Sequence, residues 1–289
     1  MKNYHPSAIA IYYGVILAIT MFSNSPVILG ISLLASTLYV VYLKGMDSLK
    51  TILLLLAFVV VISGLMNGIF THNGATVLFY LGGNRITLEA FVYGFAMALM
   101  IVSVLIWFMS FGEIMTSDKL IHIFGKLAPV IGLTISMIFR FVPLLKRRYR
   151  DIRMGQISLG RGDVKGPINI LKQKVKEISI LISWSLEASI ESADSMSARG
   201  YGLPGRTGYV IYKFSPRDYL VIGLSLIFGL VVAATYYFGA LGLYYYPEIR
   251  PKASVSPLTT GLSLFSFTIL AFMPLILELQ GDLQWKKSA

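Results

Sequence analysis

Six apolar runs fix what this chain can become: Ala8–Phe22, Val27–Leu43, Thr51–Met66 and Thr87–Phe111, then a long basic stretch, then Tyr219–Leu241 and Leu258–Leu279. A bilayer core needs about 20 apolar residues in a helix. Thr87–Phe111 is 25 residues long, about 37 Å at 1.5 Å per residue, and spans easily. The first two runs are short and are expected to tilt, thin the membrane or extend into their flanks. Composition agrees. Hydrophobic residues make up 56% of the chain and charged residues 13%, where a soluble domain carries about 25% charged, and the mean hydropathy is +0.72. The expected fold is an all-α integral membrane protein with about six transmembrane helices. Lys2, the first apolar run and Ser23-Asn24-Ser25-Pro26 look like a signal peptide. A cleaved signal precedes soluble sequence, however, and here a second apolar run follows at once, so an uncleaved first hairpin is expected. Between the third and fourth runs, His72-Asn73-Gly74 and Gly82-Gly83-Asn84 mark turns. Val77–Leu81 and Arg85–Thr87 are expected to form a small hairpin there.

Charge sets the orientation. With six spans and the N-terminus inside, all Lys and Arg residues except Arg85, Arg250 and Lys252 lie on the cytoplasmic side, as the positive-inside rule requires. The same rule accounts for much of the +11 net charge, so nucleic acid is not an expected partner. Both termini are then cytoplasmic. Three regions follow: transmembrane helices over 1–111, a cytoplasmic coupling region over 112–218 and a second transmembrane part over 219–289. Within the middle region, Ile178–Leu186 is too short to cross a bilayer, and Leu127–Leu145 carries Arg140 and is broken by Pro129 and Pro143. Both are expected to be helices lying at or dipping into the inner membrane face, packed on each other. A pair of true spans here would keep the same topology, so hydropathy leaves six and eight spans open.

Two glycine-flanked arginines stand out in that region, Gly160-Arg161-Gly162 and Ala198-Arg199-Gly200. Each closes a helix-like run. On the first, Leu145, Tyr149, Ile152 and Leu159 keep near-helical spacing beneath a basic face. On the second, Ala188, Ser192, Ser195 and Arg199 share one side, and small residues so spaced let helices approach closely. Gly200 and Gly202, with Pro204 beyond, read as a helix stop. An arginine before a helix-ending glycine is ordinary C-capping, and Lys146-Arg147-Arg148 reads as a headgroup-facing cluster. Repetition within one insert is what raises the functional reading. A guanidinium is a planar, permanently charged fork suited to bidentate contact with a carboxylate.

Chemistry is hard to place on this chain. There is no cysteine and no GxxxxGK[ST] loop, and His5, His72 and His122 are scattered. No catalytic residue, cofactor site or metal site is expected. Glu89 and Glu278 sit near span ends and read as interfacial. Few polar residues stand at mid-membrane, which favours a coupling protein over a self-contained permease or channel. A membrane-embedded lipid or prenyl-chain enzyme calls for a metal-binding acidic pair such as DxxD, and no DxxD is present.

The segments Arg140-Phe141-Val142-Pro143-Leu144-Leu145, the arm ending at Gly160-Arg161-Gly162, and Ala193-Asp194-Ser195-Met196-Ser197-Ala198-Arg199-Gly200-Tyr201-Gly202 resemble the transmembrane T component of energy-coupling factor transporters. These are bacterial and archaeal importers of vitamins and transition metals, and they include the membrane subunit of cobalt importers. The likeness covers nearly all of the chain in layout, although the first triplet has Gly160 where the family usually has Ala. It implies two coupling helices crossing as an X, with each tip docked on one of two ABC ATPases. It also implies a small membrane S component that holds the substrate, in a cell membrane whose lipids surround the assembly. On these terms Arg161, Gly162, Arg199 and Gly200, with Gly160 and Ala198, form the docking tips. Arg140, Pro143, Asp194 and Met196 support the arms, and ATP is hydrolysed by the partners.

Overall fold

Proline opens most of the long helices, because its fixed φ suits the first helical position and its missing N–H would be unpaired there anyway. The computed structural model describes residues 1, 4–81, 84–127, 129–161, 166–203, 212–251 and 256–288. Its helices are α1 (Pro6–Phe22), α2 (Pro26–Lys44), α3 (Asp47–Phe70), α4 (Leu88–Ile114), α5 (Ser117–Leu127), α6 (Pro129–Gln156), α7 (Pro167–Ala198), α8 (Pro216–Tyr237) and α9 (Pro257–Ser288). Five of these, α2, α3, α4, α8 and α9, are long and apolar enough to cross a membrane, and α1 is a shorter apolar helix of 17 residues. The protein is therefore an all-α, multi-pass membrane protein. Among the described residues, α6 and α7 do not meet that standard of length and hydropathy.

The chain divides into two compact units, residues 1–119 with 212–289, and residues 120–211. In the first unit α3 packs on α4, α2 on α4 and α9, and α1 and α9 on α8. Fully buried Tyr12, Tyr13, Tyr39, Trp107 and Phe267 form the bulk of its interior. The polar ends of Tyr12, Tyr13 and Trp107 are satisfied within the bundle, as an apolar surrounding demands, whereas the Tyr39 hydroxyl has no hydrogen-bond partner among the described residues. Tyr13 donates to Ser110 Oγ at 2.9 Å, Trp107 Nε1 to Ser32 Oγ at 3.0 Å, and Tyr12 to the Leu270 carbonyl at 3.2 Å. At the α3–α4 crossing the backbones nearly touch. A Cβ on Gly94 would lie 2.8 Å from the Ser63 carbonyl oxygen, and Ser63 Oγ donates to the Gly94 carbonyl at 2.8 Å.

The loops follow the turn signals. β1 (Val77–Leu81) pairs antiparallel with β2 (Asn84–Thr87), one residue longer than the segment expected, with an irregularity between Val77 and Phe79. A second short pair joins β3 (Leu243–Tyr244) to β4 (Arg250–Pro251). Glu89 sits at the end of a span as expected, yet it is buried rather than facing water. Its carboxylate accepts the Thr76 N–H at 3.0 Å and so folds the preceding loop over itself. On α8, Ser215 and Asp218 form a capping box, and Asp218 also accepts the His5 N–H at 2.8 Å. That bond holds the segment before α1 against the start of α8.

The second unit departs from expectation in two places. α6 runs unbroken through Pro143. Pro143 cannot donate to the Phe139 carbonyl, but it is exposed, so the interruption lies on the outer face of the helix. Ile178–Leu186 is not a short separate helix but the middle of α7, which has 32 residues.

Candidate functional site on the paired helices

α6 and α7 touch along stripes that their sequences dictate. On α6 from residue 141 onward the half-buried positions are Phe141, Leu145, Tyr149, Ile152 and Gln156, and on α7 they are Gln173, Leu181, Trp184, Ser185, Ala188, Ser192 and Met196, with Glu177 fully buried among them. Steps of three and four place each set on one face. Glu177 is 4% exposed and is the one buried residue described on α7. Its carboxylate accepts the Tyr149 hydroxyl at 3.1 Å and the Gln173 side-chain amide at 3.4 Å. The Arg148 guanidinium stacks 4.7 Å above the Trp184 ring, a cation–π contact that adds to the same junction. The hydrogen bond to Glu177, with burial and the nearby carboxylate charge, holds the Tyr149 phenol above its ordinary pKa. The hydroxyl therefore stays a donor at physiological pH.

A buried carboxylate is costly unless hydrogen-bonded, so Glu177 pins the two helices at one register. Replacing it with Lys removes the acceptor from Tyr149 and places a cation where the carboxylate was buried. Leaving such a donor unmet costs about 1–3 kcal/mol. Hydrogen exchange of the α6 amides around Tyr149 is expected to quicken in Glu177→Lys and to change little in Glu177→Gln, which keeps an acceptor. Equal protection in all three proteins would show that the junction rests on apolar contact alone.

Each arm then ends in an exposed arginine held by local backbone geometry. α6 passes into a π-helical turn, Ile157–Arg161, in which Gly160 has φ 76°. Arg161 is exposed, and its Nη1 reaches Gln156 Oε1 at 3.4 Å. α7 stops in a Schellman arrangement. The Gly200 N–H bonds the Ser197 carbonyl at 3.0 Å, the Tyr201 N–H bonds the Met196 carbonyl at 3.0 Å, and Gly200 has φ 77°. Only glycine takes that φ without strain. Arg199 is the C-cap, exposed, with no side-chain partner among the described residues. Two guanidiniums are thus displayed at two helix ends with their donors largely unused, an arrangement suited to carboxylates on another molecule.

The remaining sequence-marked residues fall as follows. Gly160 and Ala198 are exposed beside their arginines, and Gly162 lies outside the described residues. Met196 is half-buried and contributes its carbonyl to the α7 stop. Asp194, Arg140 and Pro143 are exposed, and no ion pair joins Arg140 to Asp194 among the described residues. Leu159 does not continue the α6 stripe. It is 67% exposed, because the π turn shifts the register and Gln156 closes the stripe instead. On α7, Ser195 and Arg199 fall outside the stripe, which steps by four from Ser192 to Met196. Sequence reasoning passed over Glu177. The available signal was an acid four residues before Leu181 on a row that is otherwise largely apolar or small.

No family model matches the chain. It is similar to the energy-coupling factor transporter transmembrane protein EcfT of Streptococcus equi subsp. equi, with 29% identity over 68% of this chain and 87% of that protein. It is also similar to the protein of the same name from Bacillus selenitireducens, with 31% identity over 38% of this chain and 41% of that protein. The chain thus spans most of the length of the Streptococcus relative and about two-fifths of that of the Bacillus relative.

Proposed function

From its resemblance to the transmembrane T proteins of energy-coupling factor transporters, we propose that this multi-pass membrane protein transmits ATP-driven motion from two cytoplasmic ABC ATPases to a separate substrate-binding S component. Arg161 and Arg199 dock one ATPase each, with Gly160, Gly162, Ala198 and Gly200 shaping the tips and Arg140, Pro143, Asp194 and Met196 supporting the arms. Residues 112–218 act on the cytoplasmic side, both termini lie there, and residues 1–111 and 219–289 form the membrane body. The cargo is a vitamin or transition metal taken up into a bacterial or archaeal cell. The chain itself does no hydrolysis.

One observation carries this reading: two long helices joined at a pinned junction, each ending in an arginine displayed beside a left-handed glycine. A coupling body needs stiffness and a contact that does not slip, and bidentate arginine pairs supply direction as well as attraction. The membrane interior adds support. Tyr13, Ser110, Trp107 and Ser32 bond one another rather than lining a route for a polar cargo. Affinity purification of the tagged chain from its native membrane is expected to bring down two ATPase subunits and one small hydrophobic protein. Recovery of the chain alone, in a detergent that preserves known transporter complexes, counts against it.

A further inference from the structure

Beside the junction of α6 and α7 lies a hollow of about 480 Å³, lined by Leu145, Lys146, Tyr149, Arg150 and Leu181. The hollow is open, closer to a surface depression than to an enclosed cavity, and its wall is mainly apolar. Lys146 and Arg150 are the two cationic residues among those lining it. Lys146, Arg150 and Arg153 form one exposed row on α6 at intervals of four and three, next to the row that faces α7, with Arg147 and Arg148 alongside. Two carboxylates lie nearby. Asp151 is exposed, and Glu177 is buried and already occupied by Tyr149 and Gln173. Cations therefore outnumber carboxylates here, and the acid bonded to Tyr149 in the wall is covered.

We infer that this hollow binds one anionic phospholipid, with the phosphodiester on Lys146 and Arg150 and the start of the acyl chains along Leu145 and Leu181. An acidic soluble protein would satisfy the charge but not the rest of the surface. The two helices also expose Phe139, Val142, Ile178 and Ile182, at 49%, 42%, 47% and 53%. A soluble partner that met only the basic row would leave these in water, whereas the headgroup boundary of a bilayer covers apolar and basic side chains together. Basic segments beside membrane spans are drawn to the anionic cytoplasmic leaflet. The hollow turns that diffuse attraction into a site with a shape. This inference needs only a membrane location and does not depend on coupling to ATPases.

The test uses the full chain in nanodiscs of phosphatidylcholine containing one-fifth phosphatidylglycerol, followed by native mass spectrometry of the lipid that stays bound after extraction. Phosphatidylglycerol is expected to be retained over phosphatidylcholine, with the enrichment falling at least five-fold in Lys146→Gln/Arg150→Gln and also in Leu181→Trp, which fills the hollow without touching charge. A photoreactive residue at position 181 is expected to crosslink to phospholipid in the intact membrane, a readout that does not depend on how the variants fold. Lys172→Gln/Lys174→Gln, elsewhere on α7, is expected to leave the enrichment intact. Several results overturn the assignment: no preference for phosphatidylglycerol, loss with the charge variant but none with Leu181→Trp, displacement by millimolar inorganic phosphate, or a crosslink that goes only to polypeptide. Since lipid mass is read rather than hydrolysis or uptake, its failure and that of the coupling reading stay separate.

Discussion

On the proposed docking roles, membranes carrying the Arg161→Ala/Arg199→Ala chain together with the proposed ATPase partners are expected to show no ATP-linked uptake and almost no ATPase recovered on the chain. Both guanidiniums are exposed, and among the described residues only Arg161 makes a side-chain contact, a 3.4 Å bond to Gln156. Docking would take each out of water against a carboxylate. Removing one partner from such a desolvated pair costs about 3–5 kcal/mol, which is roughly a hundred-fold or more in affinity at 1.4 kcal/mol per tenfold. Either single substitution is expected to weaken assembly, and the double to abolish it. Lys at either position keeps the charge but loses the planar fork, so its effect is expected to fall between. The same exposure makes a second expectation. Neither arginine bonds across from one helix to the other among the described residues, so thermal unfolding of the isolated double variant should move by no more than about 0.5 kcal/mol, as for an ordinary surface change. Unchanged uptake would end the tip assignment, and a large stability loss would transfer these residues to a structural role.

Gly94→Val is expected to give the largest loss of stability in the membrane body. A Cβ there meets the Ser63 carbonyl oxygen at 2.8 Å, the Gly64 Cα at 3.1 Å and Asn67 Cβ at 3.1 Å. The nearest of these is main chain, which cannot rotate aside, so α3 must back away from α4 and the bond from Ser63 to the Gly94 carbonyl is lost. Overpacking of this kind costs about 1–3 kcal/mol, and the lost hydrogen bond adds to it. Gly14 on α1 provides the control, since nothing lies within 4 Å of a Cβ built there. Gly14→Ala is expected to be neutral or slightly stabilising, because alanine is the better helix former. Thermal unfolding in nanodiscs separates the two. Equal melting temperatures would mean that the close α3–α4 approach contributes little.

What could be read from sequence depended on whether local chemistry or distant packing made the decision. The spans were legible because lipid tolerates few polar residues over 20 positions, and Pro26, Pro216 and Pro257 fix where α2, α8 and α9 begin to within a few residues. The α7 stop was legible too, since glycine at 200 and 202 has few uses after a helix. Pro143 misled, because a proline on an exposed helix face interrupts one bond without ending the helix. Leu159 misled because a five-residue π turn moves the phase of the α6 pattern, and nothing in apolar spacing announces such a turn. Glu177 and Glu89 were unreadable for a shared reason. Whether a carboxylate is buried depends on a donor far along the chain, the Tyr149 hydroxyl in one case and the Thr76 amide in the other. The exposed positions of Arg161 and Arg199 needed no such partner, and these were the residues that sequence marked first.

The placement of Glu177 within α7 has a mechanical consequence. Glu177 stands about 15 Å from Pro167 and about 32 Å from Ala198 along the axis, at 1.5 Å per residue. A see-saw pivoted a third of the way along returns at its long end about twice the stroke it receives at the short one, with the direction reversed. Tilting α7 by about 10° on that fulcrum would swing its far end by roughly 5 Å, close to the pitch of one helical turn. Moving the buried acid one turn along α7 would change the gearing between the ends while leaving the arginine where it is.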